Sequence, residues 1–153
     1  MMSTALASTA CLPYALRLHP GEDLRAEIMA FAKYHQVQAG CVLTAVGSLQ
    51  HAALRYAAQP VADQLEGPLE IVALVGTFSE VGVHLHGAIA DAAGRTYGGH
   101  IMPGCLVYTT AELVLGVLPG LCFQRSPDPQ TGYRELDIIP VQVPRRPQRN
   151  NEA

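Results

Sequence analysis

The sequence predicts a single α+β domain over residues 13–140, in which a mostly antiparallel β-sheet packs with one or two helices. Two observations favour this fold class. From Cys41 onward the chain consists largely of short apolar or alternating segments separated by Gly or Pro, as strands and turns are. One stretch near the start has apolar residues at helical spacing instead. With 153 residues, the chain has the length of one domain with one core.

The first predicted elements are a strand and a helix. Residues 14–18 alternate in polarity like a strand, and Pro20-Gly21-Glu22-Asp23 ends this segment. The acidic residues of that turn favour the start of a helix. Leu24, Ile28 and Phe31 then recur at helical spacing, which predicts an amphipathic helix that continues to about Tyr34 and packs on a sheet.

The rest of the domain is predicted to be strands, at residues 41–46, 49–56, 69–78, 83–90, 96–102, 107–117 and 133–139. The run Ile71-Val72-Ala73-Leu74-Val75 is too continuous for a strand with one face in water. We therefore expect the helix or a neighbouring subunit to cover both faces of the central strands.

Both ends of the chain are predicted to be tails. Residues 1–12 are rich in Ala, Ser and Thr without a positively charged start, which predicts a flexible segment rather than a signal peptide. Residues 141–153 are rich in Pro and Arg and are predicted to be disordered. No apolar run approaches the roughly 18 residues of a membrane span. We expect a cytoplasmic protein without a membrane partner.

The composition narrows the classes of partner. A net charge of -3 disfavours nucleic-acid binding through the overall field. Charged residues are only 15% of the chain, which favours burial of some outer surface in an oligomer. The four cysteines show no Cys-x-x-Cys pair, so we expect small buried side chains in a reducing compartment. They are Cys11, Cys41, Cys105 and Cys122.

Three histidines are the group of residues whose spacing indicates a functional site. His84 and His86 are one residue apart in a predicted strand, so their side chains point to the same face. A three-residue hairpin loop ending at Gly94 would set His86 opposite His100. Imidazoles within about 5 to 8 Å across two strands suit zinc, which binds neutral nitrogen at about 2.0 to 2.1 Å and keeps a fourth position open in catalytic sites.

This metal site depends on the strand register. A four-residue loop would place Leu85 opposite His100, unless a bulge at Gly98-Gly99 shifted the strand back. The alternative to metal binding is three separate polar residues, each with its own hydrogen bond. Cys105 could be a fourth ligand, although a packed thiol is the favoured interpretation. The other histidines, His19, His35 and His51, are predicted to lie on the surface.

Four further residues are candidates for binding a ligand or orienting a metal ligand. Arg17 could hold an anion or pair with Glu112, because arginine and carboxylate make bidentate contacts. A buried structural ion pair is the alternative. Thr109 and Glu112 lie near the end of an apolar strand, where Glu112 could orient a metal-bound water or a histidine of the site. An ordinary edge or inter-subunit hydrogen bond is the alternative. Ser48 offers a hydroxyl at a turn, but the chain has no Gly-x-Ser-x-Gly elbow, P-loop or dinucleotide motif.

Several segments, taken in order, resemble one known family. They are Leu18-His19-Pro20-Gly21-Glu22-Asp23-Leu24, Val42-Leu43-Thr44-Ala45-Val46-Gly47-Ser48-Leu49, Gly67-Pro68-Leu69-Glu70-Ile71-Val72, His84-Leu85-His86, Gly98-Gly99-His100 and Thr109-Thr110-Ala111-Glu112. Over roughly residues 14 to 138 the chain resembles the plants and prokaryotes conserved (PPC) domain. The resemblance implies an antiparallel sheet, a homotrimer and, as in stand-alone prokaryotic members, a histidine cluster suited to a metal. The resemblance also makes DNA a candidate partner, since in plant relatives the domain is attached to AT-hooks, which bind DNA.

The chain departs from the plant pattern in two places. An AT-hook has an Arg-Gly-Arg-Pro core, whereas Pro144-Arg145-Arg146-Pro147 lacks the central Gly. The plant partner-binding segment reads Gly-Arg-Phe-Glu-Ile-Leu, whereas Gly67-Pro68-Leu69-Glu70-Ile71-Val72 has neither the Arg nor the aromatic residue. All three histidines match the prokaryotic type. The chain is therefore interpreted as the stand-alone form without an AT-hook.

Two classes of function remain open. The first is a trimeric binding module for a small molecule or anion, a protein or DNA, in which a divalent metal, with zinc favoured, is a structural or ligand-holding cofactor. The second is a metal-dependent, hydrolase-like enzyme that uses a metal-bound water. A general base or oxyanion donor near the open position would distinguish them, and the sequence offers Glu112, Arg17 and Ser48. We favour the binding module, with a regulatory or DNA-associated role as the expectation from the resemblance.

Overall fold

Eight strands and one helix make up the computed structural model, which describes residues 4–141. They are β1 (Leu12–Leu18), α1 (Leu24–Tyr34), β2 (Gly40–Arg55), β3 (Asp63–Ser79), β4 (Gly82–Ala90), β5 (Thr96–Ile101), β6 (Leu106–Val117), β7 (Leu121–Pro127) and β8 (Arg134–Pro140). The predicted fold class is confirmed: a single small domain, mostly antiparallel sheet, with one helix.

Six of the strands form one antiparallel sheet in the order β1, β6, β2, β3, β4, β5. The end of β2 also pairs with β5, where Leu54 lies opposite Ile101 and Arg55 opposite His100. Strands β2, β3, β4 and β5 therefore close into a ring, so that β5 has a hydrogen-bonded neighbour on both sides. Strands β7 and β8 form a separate two-stranded hairpin.

Helix α1 covers the core side of the sheet. Its stripe of Leu24, Ile28 and Ala32 is fully buried. Asp23 caps the helix start, because its Oδ1 accepts hydrogen bonds from the backbone N–H groups of Arg25 and Ala26. An N-cap of this kind contributes about 1 kcal/mol of stability. The other carboxylate oxygen of Asp23 accepts from the backbone N–H of Gly104 at 2.6 Å, which ties the helix to the loop before β6.

Strand β4 has one face in the hydrophobic core and carries two of the three histidines on its other face. Val83, Leu85 and Ile89 are buried, while His84 and His86 alternate with them on the other face. Gly76 of β3 lies opposite Leu85 and has a φ of +153°, which favours glycine. An added Cβ there would meet the backbone of the neighbouring strand. Glycine therefore allows β3 and β4 to approach closely beside the histidines.

An apolar patch, formed by Leu43, Val46, Val72 and Val75, lies on β2 and β3. Each of these side chains keeps between 50% and 59% of its surface exposed. Only part of the apolar run in β3 is therefore buried within one chain. Cover of the second face by a neighbouring subunit, which the sequence allowed for, stays a prediction.

Two further expectations were wrong in detail. The two strands predicted at residues 41–46 and 49–56 are one strand, β2, whose pairing with β6 shifts register at three points. These irregularities let it bend and pair with three neighbours. Strand β7 was not predicted at all. Of the four cysteines expected to be buried, only Cys105 is; Cys41 and Cys122 are half-buried, and Cys11 is exposed, because it precedes the edge strand β1.

The predicted tails are only partly described. Strand β1 begins at Leu12, and Ser8 Oγ donates a hydrogen bond to the Pro119 carbonyl at 2.7 Å. Flexibility of residues 1–12 stays a prediction, and nearly all of the predicted disordered tail, residues 142–153, lies outside the described residues. Between residues 4 and 141, no helix combines the length and apolarity that crossing a membrane requires.

Candidate metal centre

The β4–β5 hairpin brings the histidines together in the predicted register. His86 lies directly opposite His100, and the pairing continues from there without a register shift to Ala90 and Thr96 at the hairpin loop. The loop closes through a backbone hydrogen bond of 2.9 Å from the Asp91 N–H to the Arg95 carbonyl. Gly94 has a φ of +77°, the left-handed conformation that the three-residue loop requires. The predicted register is confirmed.

The three imidazoles converge on one point. The Nε2 atoms of His84 and His86 are 3.2 Å apart, and one ring nitrogen from each of the three histidines lies within 4.8 Å of the others. Tetrahedral zinc with bonds of about 2.05 Å separates neighbouring nitrogens by about 3.3 Å. The His84–His86 pair has this spacing, and the third ring nitrogen lies within 4.8 Å of both. The donor set and its spacing therefore fit a divalent transition metal.

Local electrostatics keep at least two of the rings neutral. Burial lowers the pKa of His84, and the positive charge of Arg125 lowers it further. Burial also lowers the pKa of His100, to about 4, with smaller contributions from His84 and Arg55. A lowered histidine pKa means an unprotonated ring at neutral pH. Both side chains therefore offer a nitrogen lone pair to a metal without first losing a proton.

A cavity of about 630 Å³ lies beside His84 and His100. Its lining residues come from α1, from the ring of strands and its loops, and from the β7–β8 hairpin. Besides these two histidines they are Arg25, Arg55, Ala58, Val81, Gly82, Val83, Arg125, Tyr133, Arg134 and Glu135. Four arginines face one carboxylate in this set, so the wall is strongly cationic in a chain whose net charge is -3.

Arg17 and Glu112 lie elsewhere, in a groove with Leu16, Val46 and Leu113. They face each other across the β1–β6 ladder, but no ion pair joins them. Both side chains are exposed, so the alternative of a buried pair is wrong. The Nε of Arg17 instead donates to the Thr110 hydroxyl at 3.3 Å. Neither residue lines the cavity beside the histidines.

Ser48 and Thr109 contact each other rather than the histidines. Their hydroxyl oxygens are 2.7 Å apart, and the backbone N–H of Thr109 donates to Ser48 Oγ at 3.3 Å. This pair joins β2 to β6 and does not line the cavity. Cys105 is buried against Ala53, and burial raises the pKa of its thiol to about 11. It is a packed thiol, as expected, and not a thiolate ligand.

Sequence reasoning missed all four arginines of the cavity wall, which are Arg25, Arg55, Arg125 and Arg134. One signal was available for Arg25: it lies in the first turn of α1, where the helix dipole disfavours a cation. An arginine at such a position suggests a role other than helix stability. Nothing in the local sequence marks Arg55, because only the pairing of β2 with β5 brings it to His100.

The chain is thus a small, mostly antiparallel sheet protein that carries a cluster of three histidines. The model of the Plants and Prokaryotes Conserved domain, abbreviated PCC or PPC, matches residues 6–119. The chain belongs to this family. The β7–β8 hairpin lies beyond the matched residues.

Curated relatives contain a similar stretch within a much longer protein. The chain is 51% identical over 147 residues to a bifunctional protein GlmU of a Synechococcus strain. The match covers 92% of this chain and 23% of the GlmU protein. The chain therefore spans about a quarter of the length of that relative.

Solved structures share the fold. A protein of Salmonella enterica is 44% identical with a TM-score of 0.87, over 90% of this chain and 99% of that one. A metal-containing protein of Archaeoglobus fulgidus is 26% identical with a TM-score of 0.77, over 88% and 99%. A Bacteroides thetaiotaomicron protein with a provisional DNA-binding designation has 19% identity and a TM-score of 0.72, over 82% and 91%, which shows the fold alone.

Proposed function

We propose that this chain is a metal-dependent binding module in which His84, His86 and His100 hold one divalent transition metal, with zinc favoured. The observation that carries the proposal is the convergence of three ring nitrogens within 4.8 Å. The description of the Archaeoglobus fulgidus protein as metal-containing supports it. A bound cation would supply a Lewis-acid position for an oxygen or nitrogen of a ligand.

The surroundings favour binding over hydrolysis. Glu112, the general base suggested by the sequence, lies in a different groove. Glu135 is the single carboxylate among the residues that line the cavity, and its Oε1 already accepts a hydrogen bond from the Thr131 hydroxyl at 3.0 Å. The cationic wall instead provides groups that hold and orient a ligand.

Elemental analysis of the purified full chain tests the metal site. Protein prepared without chelator should contain about one zinc, or a similar divalent transition metal, per chain. Chelator-treated protein should regain that stoichiometry when zinc is added back. Absence of metal after both preparation and zinc loading would overturn the proposal.

Acidification should release the metal. The lowered pKa values of His84 and His100 keep these rings unprotonated at pH 7, so protons compete weakly there. As pH falls from about 6 towards 4, protonation turns the ligands into cations and binding is lost. Zinc retained by the folded protein, measured after equilibrium dialysis at a series of pH values, should decline over this range. Retention unchanged at pH 4 would contradict three histidine ligands.

We also propose that the chain is a homotrimer that covers the apolar patch of Leu43, Val46, Val72 and Val75. The exposure of these side chains supports burial against another subunit, since large exposed apolar surfaces usually mark interaction sites. The number three rests on the family resemblance.

Substitution of Val72 by Glu should dissociate this trimer. A carboxylate in a desolvated interface has no partner there, so the association is penalised. Light scattering should show the mass falling from three times the 16.3 kDa chain towards the chain mass. Val61→Glu is the matched control, because Val61 is 69% exposed outside the patch. A wild-type monomer at micromolar concentration would contradict the assembly.

DNA is the weaker candidate partner. The sequence has no complete AT-hook, and Pro144-Arg145-Arg146-Pro147 lies outside the described residues. The arginines that the structure brings together line a concave cavity of small-molecule size rather than an extended surface. We therefore favour a small ligand.

A further inference from the structure

We propose that the cavity beside the three histidines binds a small organic anion, whose carboxylate or phosphate group is held by Arg25, Arg55 and Arg125. The proposal deepens the proposed function by naming the ligand class of the same site. It rests on the proposed function only for the contact between the ligand and the metal.

Arg25 is the strongest indication. Its Nη1 atom is buried and has no hydrogen-bond partner among the described residues. A buried, unpartnered guanidinium nitrogen is costly, so its retention calls for a ligand or a specific structural reason. Asp23, two residues before Arg25, forms no ion pair with the guanidinium, and its two oxygens accept from the backbone N–H groups of Arg25, Ala26 and Gly104.

Arg55 and Arg125 place two more cations around the same space. Arg55 lies opposite His100 in the β2–β5 ladder, and Arg125 extends from β7. Both are half-buried, and neither forms an ion pair within residues 4–141. Arg125 donates only a long hydrogen bond, 3.3 Å, to the Thr77 hydroxyl. Guanidinium groups bind carboxylate and phosphate through paired, charge-assisted hydrogen bonds, so this arrangement favours an oxyanion.

The volume of the cavity indicates a ligand larger than an inorganic ion. Small-molecule sites usually measure about 300 to 1,000 Å³, and this cavity of about 630 Å³ lies in the middle of that range. Ala58, Val81, Val83 and Tyr133 offer apolar surface beside the arginines. The ligand should therefore combine one anionic group with an uncharged body.

Phenyl phosphate, benzoate and phenol test the proposal, because they share one ring and differ in the group it carries. Binding of each to the full chain is measured by calorimetry, with zinc-loaded and with metal-free protein. The variants are Arg25→Met and Arg125→Met, and the control is Lys33→Met, which removes an exposed charge from the same helix. Thermal unfolding of every variant without ligand is recorded in parallel.

At least one anion should bind to saturation, while phenol should not. Each arginine variant should weaken that binding by about 10- to 100-fold, as expected for losing a charged hydrogen-bond partner, and Lys33→Met should not. Arg25→Met should also leave the unfolding temperature unchanged or raise it, because it removes an unpartnered buried cation. A purely structural Arg25 would instead lower the unfolding temperature and leave affinity unchanged.

The outcomes separate the two proposals. Arginine-dependent binding of an anion by a protein that takes up no zinc would support the anion site and overturn the metal site. Zinc uptake without saturable anion binding, or with affinity equal in wild type and both arginine variants, would overturn the anion site alone. Preference for phenyl phosphate or for benzoate identifies the anionic group.

Discussion

Replacement of His86 by alanine is expected to remove most of the bound metal while the protein stays folded. With two imidazoles left, the site loses one of three protein ligands, and affinity falls sharply. His86 is exposed and faces away from the core, so its side chain contributes little to packing. Elemental analysis should give about one metal per wild-type chain and close to none in the variant.

A stability measurement gives an independent readout of the same change. A ligand at a hundredfold excess over its Kd stabilises the folded state by about 2.7 kcal/mol. Added zinc should therefore raise the unfolding temperature of wild type and not of His86→Ala. His19→Ala is the matched control, because His19 is exposed and outside the cluster. Equal metal content in wild type and His86→Ala would show that the three histidines are ordinary polar residues.

Replacement of the adjacent Leu85 by alanine should have the opposite effect: it should lower the stability of the protein and leave metal binding intact. Leu85 is fully buried in the core, and truncating a core leucine costs about 2 to 5 kcal/mol, because apolar contact is lost and a cavity remains. Denaturant unfolding at one fixed protein concentration should show this loss, while the folded variant still binds metal.

Val61→Ala serves as the control for Leu85→Ala. Val61 is 69% exposed, so its truncation should change the free energy of unfolding by less than about 0.5 kcal/mol. A loss below about 1 kcal/mol for Leu85→Ala would mean that β4 does not pack as described. The two neighbouring residues thus separate the metal-binding face of the strand from its core face.

The histidine cluster could be predicted because its determinants are local. Alternation along β4 places two ligands on one face, and Gly94 sets the loop length that brings in His100. Leu85 alternates with these histidines along the strand, and the same rule of alternation places it on the opposite face. Short-range geometry was sufficient for all four positions.

The cavity could not be predicted because its walls meet through long-range packing. Arg55 reaches His100 only because β2 curves far enough to pair with β5, and no local pattern encodes that closure. Arg25 reaches the histidines through the packing of α1 on the sheet. Strand β7 was not recognised, which left Arg125 without a position. The polar residues chosen instead, Arg17 and Glu112, lie in a different groove, between β1, β2 and β6.

The residues of the cavity come from two regions of the chain, the part that the family model matches and the β7–β8 hairpin after it. The histidines belong to the ring of strands within the family match, whereas Arg125, Tyr133, Arg134 and Glu135 belong to a hairpin that follows it. Residues on this hairpin can change without altering a histidine of the cluster or a ladder of the main sheet. Exchange of the hairpin would therefore alter one wall of the cavity while Arg25, Arg55 and the histidines stay in place, which makes the hairpin a natural segment to transplant when a new selectivity is to be engineered.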